Sequence, residues 1–168
     1  MLHLRPITPA DNPAVARVIR TVMPEFGCVG AGFSIEDPEV DDMAAAYDAP
    51  RAAFFVVEGP GEPGEAASAK TIVAVAGYAP LAGGDADTCE LRKMYALPAA
   101  RGRGAGQLLM EACLRGAREA GFRRMYLETV TAMTQAAALY RRHGFAEIDG
   151  PLGGTGHTGC DRWMVRAL

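Results

Sequence analysis

Arg101-Gly102-Arg103-Gly104-Ala105-Gly106 is the stretch on which the fold turns. It separates an extended run, residues 88–97, from an amphipathic pattern over 104–120 that Gly121 closes. Glycines let a backbone turn tightly and approach a ligand closely. A helix that follows presents unpaired N–H groups and the positive end of its dipole, and both favour a phosphate. Two arginines add charge. The stretch is not a nucleotide P-loop, because no Gly-Lys-Ser/Thr follows, and not a dinucleotide fingerprint, because Gln107 stands at the third glycine position. On its own it is also compatible with a plain strand-to-helix turn.

Working outward, residues 125–130 read as the next strand and 133–143 as a helix closed by Gly144. Residues 145–148 and 162–168 read as final strands. Toward the N-terminus, 71–79 and 52–58 are β-rich and predict an antiparallel pair. Gly59-Pro60-Gly61-Glu62-Pro63-Gly64-Glu65 between them reads as a long hairpin loop. Asp11-Asn12-Pro13 and Asp37-Pro38-Glu39 each place a capping residue before a proline, predicting helices over 12–22 and 38–47. Val15, Val18, Ile19 and Val22 fall on one face of the first. Residues 2–5 are a short strand. The order β α α β β β α β α β β predicts an α/β (α+β) fold, with helices on a mixed sheet.

The chain has 168 residues and net charge −3. That length fits one domain, 1–168, with a core that needs no disulfide or metal staple. The small acidic balance argues against nucleic acid as a partner. The balance is uneven, however. Residues 1–90 carry 5 basic and 14 acidic side chains (−9), and residues 91–168 carry 12 and 6 (+6). The basic half holds the glycine-rich turn, as a polyanionic ligand would want, and the acidic half suits a cationic one. The longest uncharged run, 71–84, is too short for a bilayer and is broken by Gly77 and Pro80, so no membrane role is expected. The first residues lack a signal peptide's pattern. Cys28, Cys89, Cys113 and Cys160 form no CxxC pair, which predicts free thiols in a cytoplasmic protein.

Glu90-Leu91-Arg92-Lys93-Met94-Tyr95-Ala96-Leu97-Pro98, then Arg101-x-x-Gly104-x-Gly106 and a helix, resembles the acetyl-CoA motif of the GNAT family, the Gcn5-related N-acetyltransferases. Ala137-Ala138-Leu139-Tyr140-Arg141-Arg142-His143-Gly144-Phe145 resembles the family's late helix and its ending. The element order is similar to the GNAT fold over nearly the whole chain. The resemblance implies that the strand around Met94, Tyr95 and Ala96 pairs with the pantetheine arm of acetyl-CoA. Amides of Arg101, Gly102, Arg103, Gly104, Ala105, Gly106 and Gln107 would hold the pyrophosphate. The cofactor would lie where this strand splays from the next. Thr129 and Thr134 are further cofactor candidates, since the Asn that the family often carries near this point is absent.

Acetyl transfer to an amine needs a base for the amine, polarisation of the carbonyl and an acid for the leaving thiolate. Tyr140 matches the family position that protonates the sulfur; packing of helix on sheet is the alternative for such a ring. Glu90 matches a position that carries a general base in several members. It alternates with Arg92 and Met94 on one strand face, and a surface pair with Arg92 is its alternative. Glu128 is the rival base, because a carboxylate inside an apolar strand must be solvated or paired.

Residues 150–161 carry five glycines in their first ten positions and lie where the family places a loop over the acceptor. His157 and Cys160 are acceptor-site candidates there, against a plain solvated loop. A metal would need more ligands than these two supply. Phe33, with Phe26, is a candidate lid aromatic or an ordinary core residue. The acids between Glu36 and Asp42 would attract a cationic amine or simply match a helix start. The expectation is direct acetyl transfer from acetyl-CoA, without a metal, to a primary amine of a small or amino-acid-like acceptor. A protein N-terminal or lysine acetyltransferase, and a non-catalytic acyl-CoA-binding module, are the rivals. A homodimer is compatible with the resemblance.

Overall fold

The computed structural model describes residues 1–60 and 70–168. The hairpin-loop expectation, resting largely on 61–65, lies outside the described residues.

In chain order the elements are β1 (His3–Pro6), α1 (Asn12–Val22), α2 (Met43–Ala46), β2 (Ala53–Pro60), β3 (Lys70–Pro80), β4 (Thr88–Ala96), α3 (Ala105–Glu119), β5 (Arg124–Thr129), α4 (Thr134–Arg142), β6 (Ala146–Ile148) and β7 (Arg162–Ala167). The strands form one seven-stranded sheet in the order β1-β2-β3-β4-β5-β7-β6. Every pairing is antiparallel except β4 with β5. A parallel pair needs a crossover, and α3 supplies it.

The sheet is covered on both faces. Leu109, Met110, Cys113 and Ala117 of α3 pack with Met125, Leu127 and Met164. Val15, Val18, Ile19 and Val22 of α1 pack with Phe54, Val56 and Val75 on the other side. Both helices bury the 3.6-spaced stripe that their sequence shows.

Two local features depart from the sequence reading. The expected second helix is broken into a 3-10 turn, Pro38–Asp41, and the short α2. Asp42, at φ −141° and ψ 57°, stands outside helical geometry and caps α2 by accepting from the Ala45 N–H. In β4, Lys93 and Met94 together face Ala76, because Val75 pairs with Tyr95 and Gly77 with Arg92. This is a β-bulge, with Lys93 at φ 54°. The bulge inverts the alternation: Cys89 and Leu91 before it, and Met94 and Ala96 after it, pack under α3. Glu90 and Arg92 therefore do not share a face with Met94, contrary to strict period-two spacing.

Candidate active site

β4 and β5 pair only from Thr88↔Arg124 to Glu90↔Tyr126. Beyond Glu90 they part, because β5 continues along β7 while β4 follows β3 through the bulge. The gap opens into a groove of about 860 Å³ lined by Met94, Tyr95, Ala96, Arg101, Gly102, Gly104, Gly106, Gln107, Thr134 and Tyr140, among others.

At the groove's edge, Gly102 and Gly104 take φ values of 70° and 93°, which other residues adopt at a cost. Among the described residues, no backbone N–H from Gly102 to Gln107 donates to a protein acceptor. Of these residues, Gly102, Gly104, Gly106 and Gln107 line the groove at the start of α3, where unpaired amides suit an anion. The side chains act differently. The Arg101 guanidinium is committed to the Ala96 carbonyl (2.9 Å) and to both oxygens of Glu25. Arg103 is exposed and Ala105 buried, and neither lines the groove. Arg142, which the sequence reading did not single out, does line it.

Past Tyr140 the groove continues into a smaller pocket of about 50 Å³. Met94, Tyr95, Met133 and Tyr140 line both spaces. The pocket also brings together Glu90, Glu128, Thr129, Phe33, His157 and Cys160, which are far apart in sequence. Thr129 is buried and its hydroxyl donates to the Met133 sulfur, so it faces the pocket and not the groove.

Two loops roof the pocket. Residues 150–161 are fastened at intervals: Leu152 N–H donates to the Tyr126 hydroxyl, Gly154 N–H to the Ala82 carbonyl (2.7 Å), Gly159 N–H to the Gly32 carbonyl (3.0 Å) and Asp161 N–H to the Thr129 carbonyl. Phe33 lies flat against Gly159, where a Cβ would fall 2.5 Å from its ring. Gly159, and Gly153 where a Cβ would fall 2.4 Å from the Ala82 carbonyl oxygen, are therefore needed for close approach, whereas Gly150, Gly154 and Gly156 border open space. Tyr95 reaches up to the same roof, its hydroxyl 3.1 Å from Ser34 Oγ.

Inside, charges are arranged in series. Glu90 is 2% exposed, and its Oε2 accepts from Arg92 Nε at 2.6 Å. Burial pushes its pKa up, more than Arg92 pulls it down, and Glu128 adds to the rise. Burial acts on Glu128 in the same direction, but the nearby His157 ring and hydrogen bonds from Tyr126 and Thr155 outweigh it and hold Glu128 below the usual range. Tyr126 donates to Glu128 Oε1 at 2.7 Å and Thr155 to Oε2 at 2.9 Å. His157 stands between two carboxylates, with Nε2 3.1 Å from Asp37 and Nδ1 3.6 Å from Glu128. The Asp37 and Glu128 contacts lift it to about 9. Asp37 also takes an ion pair from Lys93, a buried lysine that the bulge turns toward it.

Glu90, Glu128 and His157 offer ligand-type atoms within 4.8 Å of one another. Such a trio could hold a cation only by displacing the imidazolium proton, which already serves as counter-charge. Cys160 is pushed up to about 12 by burial and then by Glu128, so its thiol is not poised as a nucleophile. Tyr140 is buried, which raises its pKa, and its hydroxyl has no protein partner among the described residues.

A strand that parts from its parallel neighbour, a glycine-rich turn with unpaired amides and a pocket lined by carboxylates and an imidazole together make up the candidate site. A family model for the acetyltransferase (GNAT) family matches residues 18–145. YjgM, an uncharacterized N-acetyltransferase of Escherichia coli K12, is 44% identical over 98% of this chain and 94% of its own length. A GNAT-family acetyltransferase from Staphylococcus aureus Mu50 superposes over 100% of this chain and 99% of its own, with TM-score 0.82 and 19% identity. The acetyltransferase yncA of Salmonella typhimurium, solved with its cofactor acetyl-CoA, superposes over 100% and 94% with TM-score 0.71 and 20% identity. The chain belongs to the GNAT family and is by class an N-acetyltransferase. No helix among the described residues is long and apolar enough to cross a membrane.

Proposed function

We propose that this chain, acting as a single catalytic domain, transfers acetyl from acetyl-CoA directly to a primary amine of a small or amino-acid-like acceptor. The observation that carries this reading is the passage from groove to pocket past Tyr140. The unpaired amides of residues 102–107 would take the pyrophosphate, and the free edge of β4 from Met94 to Ala96 the pantetheine amides. The acetyl group would then arrive beside Tyr140, with Glu90 facing it across the pocket.

Glu90 takes the base role in preference to Glu128. A buried carboxylate with a raised pKa accepts a proton near neutral pH more readily than one held by two hydrogen-bond donors and an imidazole ion pair. Tyr140 takes the acid role because it lines both the groove and the pocket with a hydroxyl that no protein group engages among the described residues; burial keeps its phenol protonated, although it also makes the phenol a weaker donor. The roofed pocket favours a small acceptor over a peptide, which would need an open groove.

A panel of small amines, amino acids and lysine peptides with acetyl-CoA, read by release of free CoA thiol, tests this. Turnover confined to small amines supports the reading. Turnover of peptides alone moves the acceptor to protein. Acetyl-CoA binding by calorimetry without any turnover leaves a binding module, and no binding overturns the assignment.

A further inference from the structure

Two carboxylates meet in one buried pocket, and something must decide which of them carries a proton. Like charges this close disfavour double ionisation, and an equivalent pair would share one proton between them. The surroundings of Glu90 and Glu128 are not equivalent. Glu90 faces Arg92 on its own strand, with Tyr47 and Glu39 behind that guanidinium. Glu128 faces Tyr126 on its own strand, and Thr155 and His157 from the roof. His157 is the one charged group among these partners of Glu128. Its other ring nitrogen meets Asp37, which is itself paired with Lys93; Glu90 and Cys160 complete its surroundings.

We propose that His157 is a positioning residue that assigns the two carboxylates their roles: its imidazolium, held against Glu128 by the roof loop, keeps Glu128 charged and leaves Glu90 to take the acceptor's proton. This rests on the acetyl-transfer reading above. In the step itself an N–H bond of the acceptor ammonium breaks, its electron pair stays on nitrogen, and an O–H bond forms on Glu90. His157 keeps its proton throughout. Asp37 serves as the second anchor, so that the ring remains charged at neutral pH. The upward displacement of Glu90, the downward one of Glu128 and the value of about 9 for His157 agree with this arrangement.

The test needs no acceptor. The glutamate side-chain carboxyl carbons of the full-length protein are titrated by 13C NMR, with Glu90→Gln and Glu128→Gln for assignment. The expected native result is a Glu128 midpoint below that of Glu90. In His157→Gln the Glu128 midpoint should rise by about one pH unit or more, a tenfold change in proton affinity. A Glu128 midpoint that stays within roughly 0.3 unit of native overturns the proposal. Asp37→Asn guards against a merely loosened roof: His157 is retained, and its own midpoint should fall from about 9 toward 6.5. Glu128 titrates below that midpoint, while the imidazolium is still present, and should keep its low midpoint; a Glu128 midpoint that rises as it does in His157→Gln would show that a loosened roof and not the charge sets it, and overturns the proposal. In turnover, the acid limb of kcat/KM should move to higher pH in His157→Gln, while an unmoved limb counts against it. A fully active Glu90→Gln would remove the base assignment in the acetyl-transfer reading, whereas unmoved carboxylate midpoints remove only the role of His157.

Discussion

At the scale of single residues, the site depends on side chains whose neighbours come from elsewhere in the chain. Tyr140→Phe removes one oxygen from a buried ring that packs 6.0 Å from Phe145, so the fold should be unaffected. Turnover should fall about 10²-fold with acetyl-CoA affinity unchanged, the signature of a proton donor used only as the thiolate leaves. Stopped-flow turnover beside calorimetry reads both; equal rates would remove Tyr140 from the mechanism. Glu90→Gln keeps an acceptor for Arg92 but no basicity, and should lower kcat roughly 10²–10⁴-fold. Glu90, Glu128, Tyr140, His157 and Cys160 could be singled out in the sequence, from motif position or from an unusual residue in its setting. Lys93, Tyr126 and Thr155 could not, and Asp37 stood out only as a cap and as one of the acids between Glu36 and Asp42. Asp37 stood before a proline as a helix cap, and it does precede a 3-10 turn, yet its carboxylate caps nothing there and meets His157 and Lys93 instead. Local patterns report the backbone's needs, whereas this pairing is a tertiary choice.

At the scale of elements, three devices position the chemistry: the bulge in β4, the turn before α3 and the roof. Only the turn announces itself, because positive φ at Gly102 and Gly104 demands glycine. The bulge gives no sign in Arg92-Lys93-Met94, since nothing in an ordinary strand sequence marks an extra residue that only pairing reveals. The roof was visible as an excess of glycine but not as a packed layer. Gly159→Val tests that layer. The new side chain must displace Phe33, since even a Cβ would fall 2.5 Å from its ring. Overpacking of this kind costs about 1–3 kcal/mol. The acceptor KM should rise several-fold, while acetyl-CoA affinity stays native, because the groove lies on the other side of Tyr140. A proportional loss of both would mean that the roof supports the whole gap and not the acceptor end alone.

At the scale of the molecule, strand and helix order was legible because α1 and α3 carry a clear apolar stripe and most boundaries, though not residues 130–133 between β5 and α4, a glycine or proline. The sheet order was not, since β7 inserts between β5 and β6 through contacts that no local signal encodes. That insertion places residues 150–161 over the pocket, and it ties stability to protonation. His157 titrates near 9 when folded and near 6.5 when unfolded, so the folded state binds its proton more tightly. The stabilisation is complete below pH 6.5 and is lost as the pH rises through about 9. Asp11 behaves in the opposite sense. Hydrogen bonds from Arg5, chiefly, hold its folded pKa near 2, so its contribution is present above pH 4 and is lost as the pH falls toward 2. Between about pH 4 and 6.5 both of these contributions are present, while Glu90, whose folded pKa is raised, costs some stability as the pH rises through this range. From pH 6.5 to 8.5 the native melting temperature should fall by a few degrees, as expected for a loss of about 1–2 kcal/mol in a chain of this size. Above pH 9 the buried thiols Cys89 and Cys113 add to the loss, because burial raises their pKa and the unfolded thiols ionise first. Scanning calorimetry of native protein and His157→Gln, compared at pH 6.5 and 8.5, isolates the histidine. The variant should begin lower at pH 6.5 and lose much less on going to 8.5, so that the two curves converge. Parallel curves would show that the alkaline decline comes from other groups and that the roof is not held by an imidazolium.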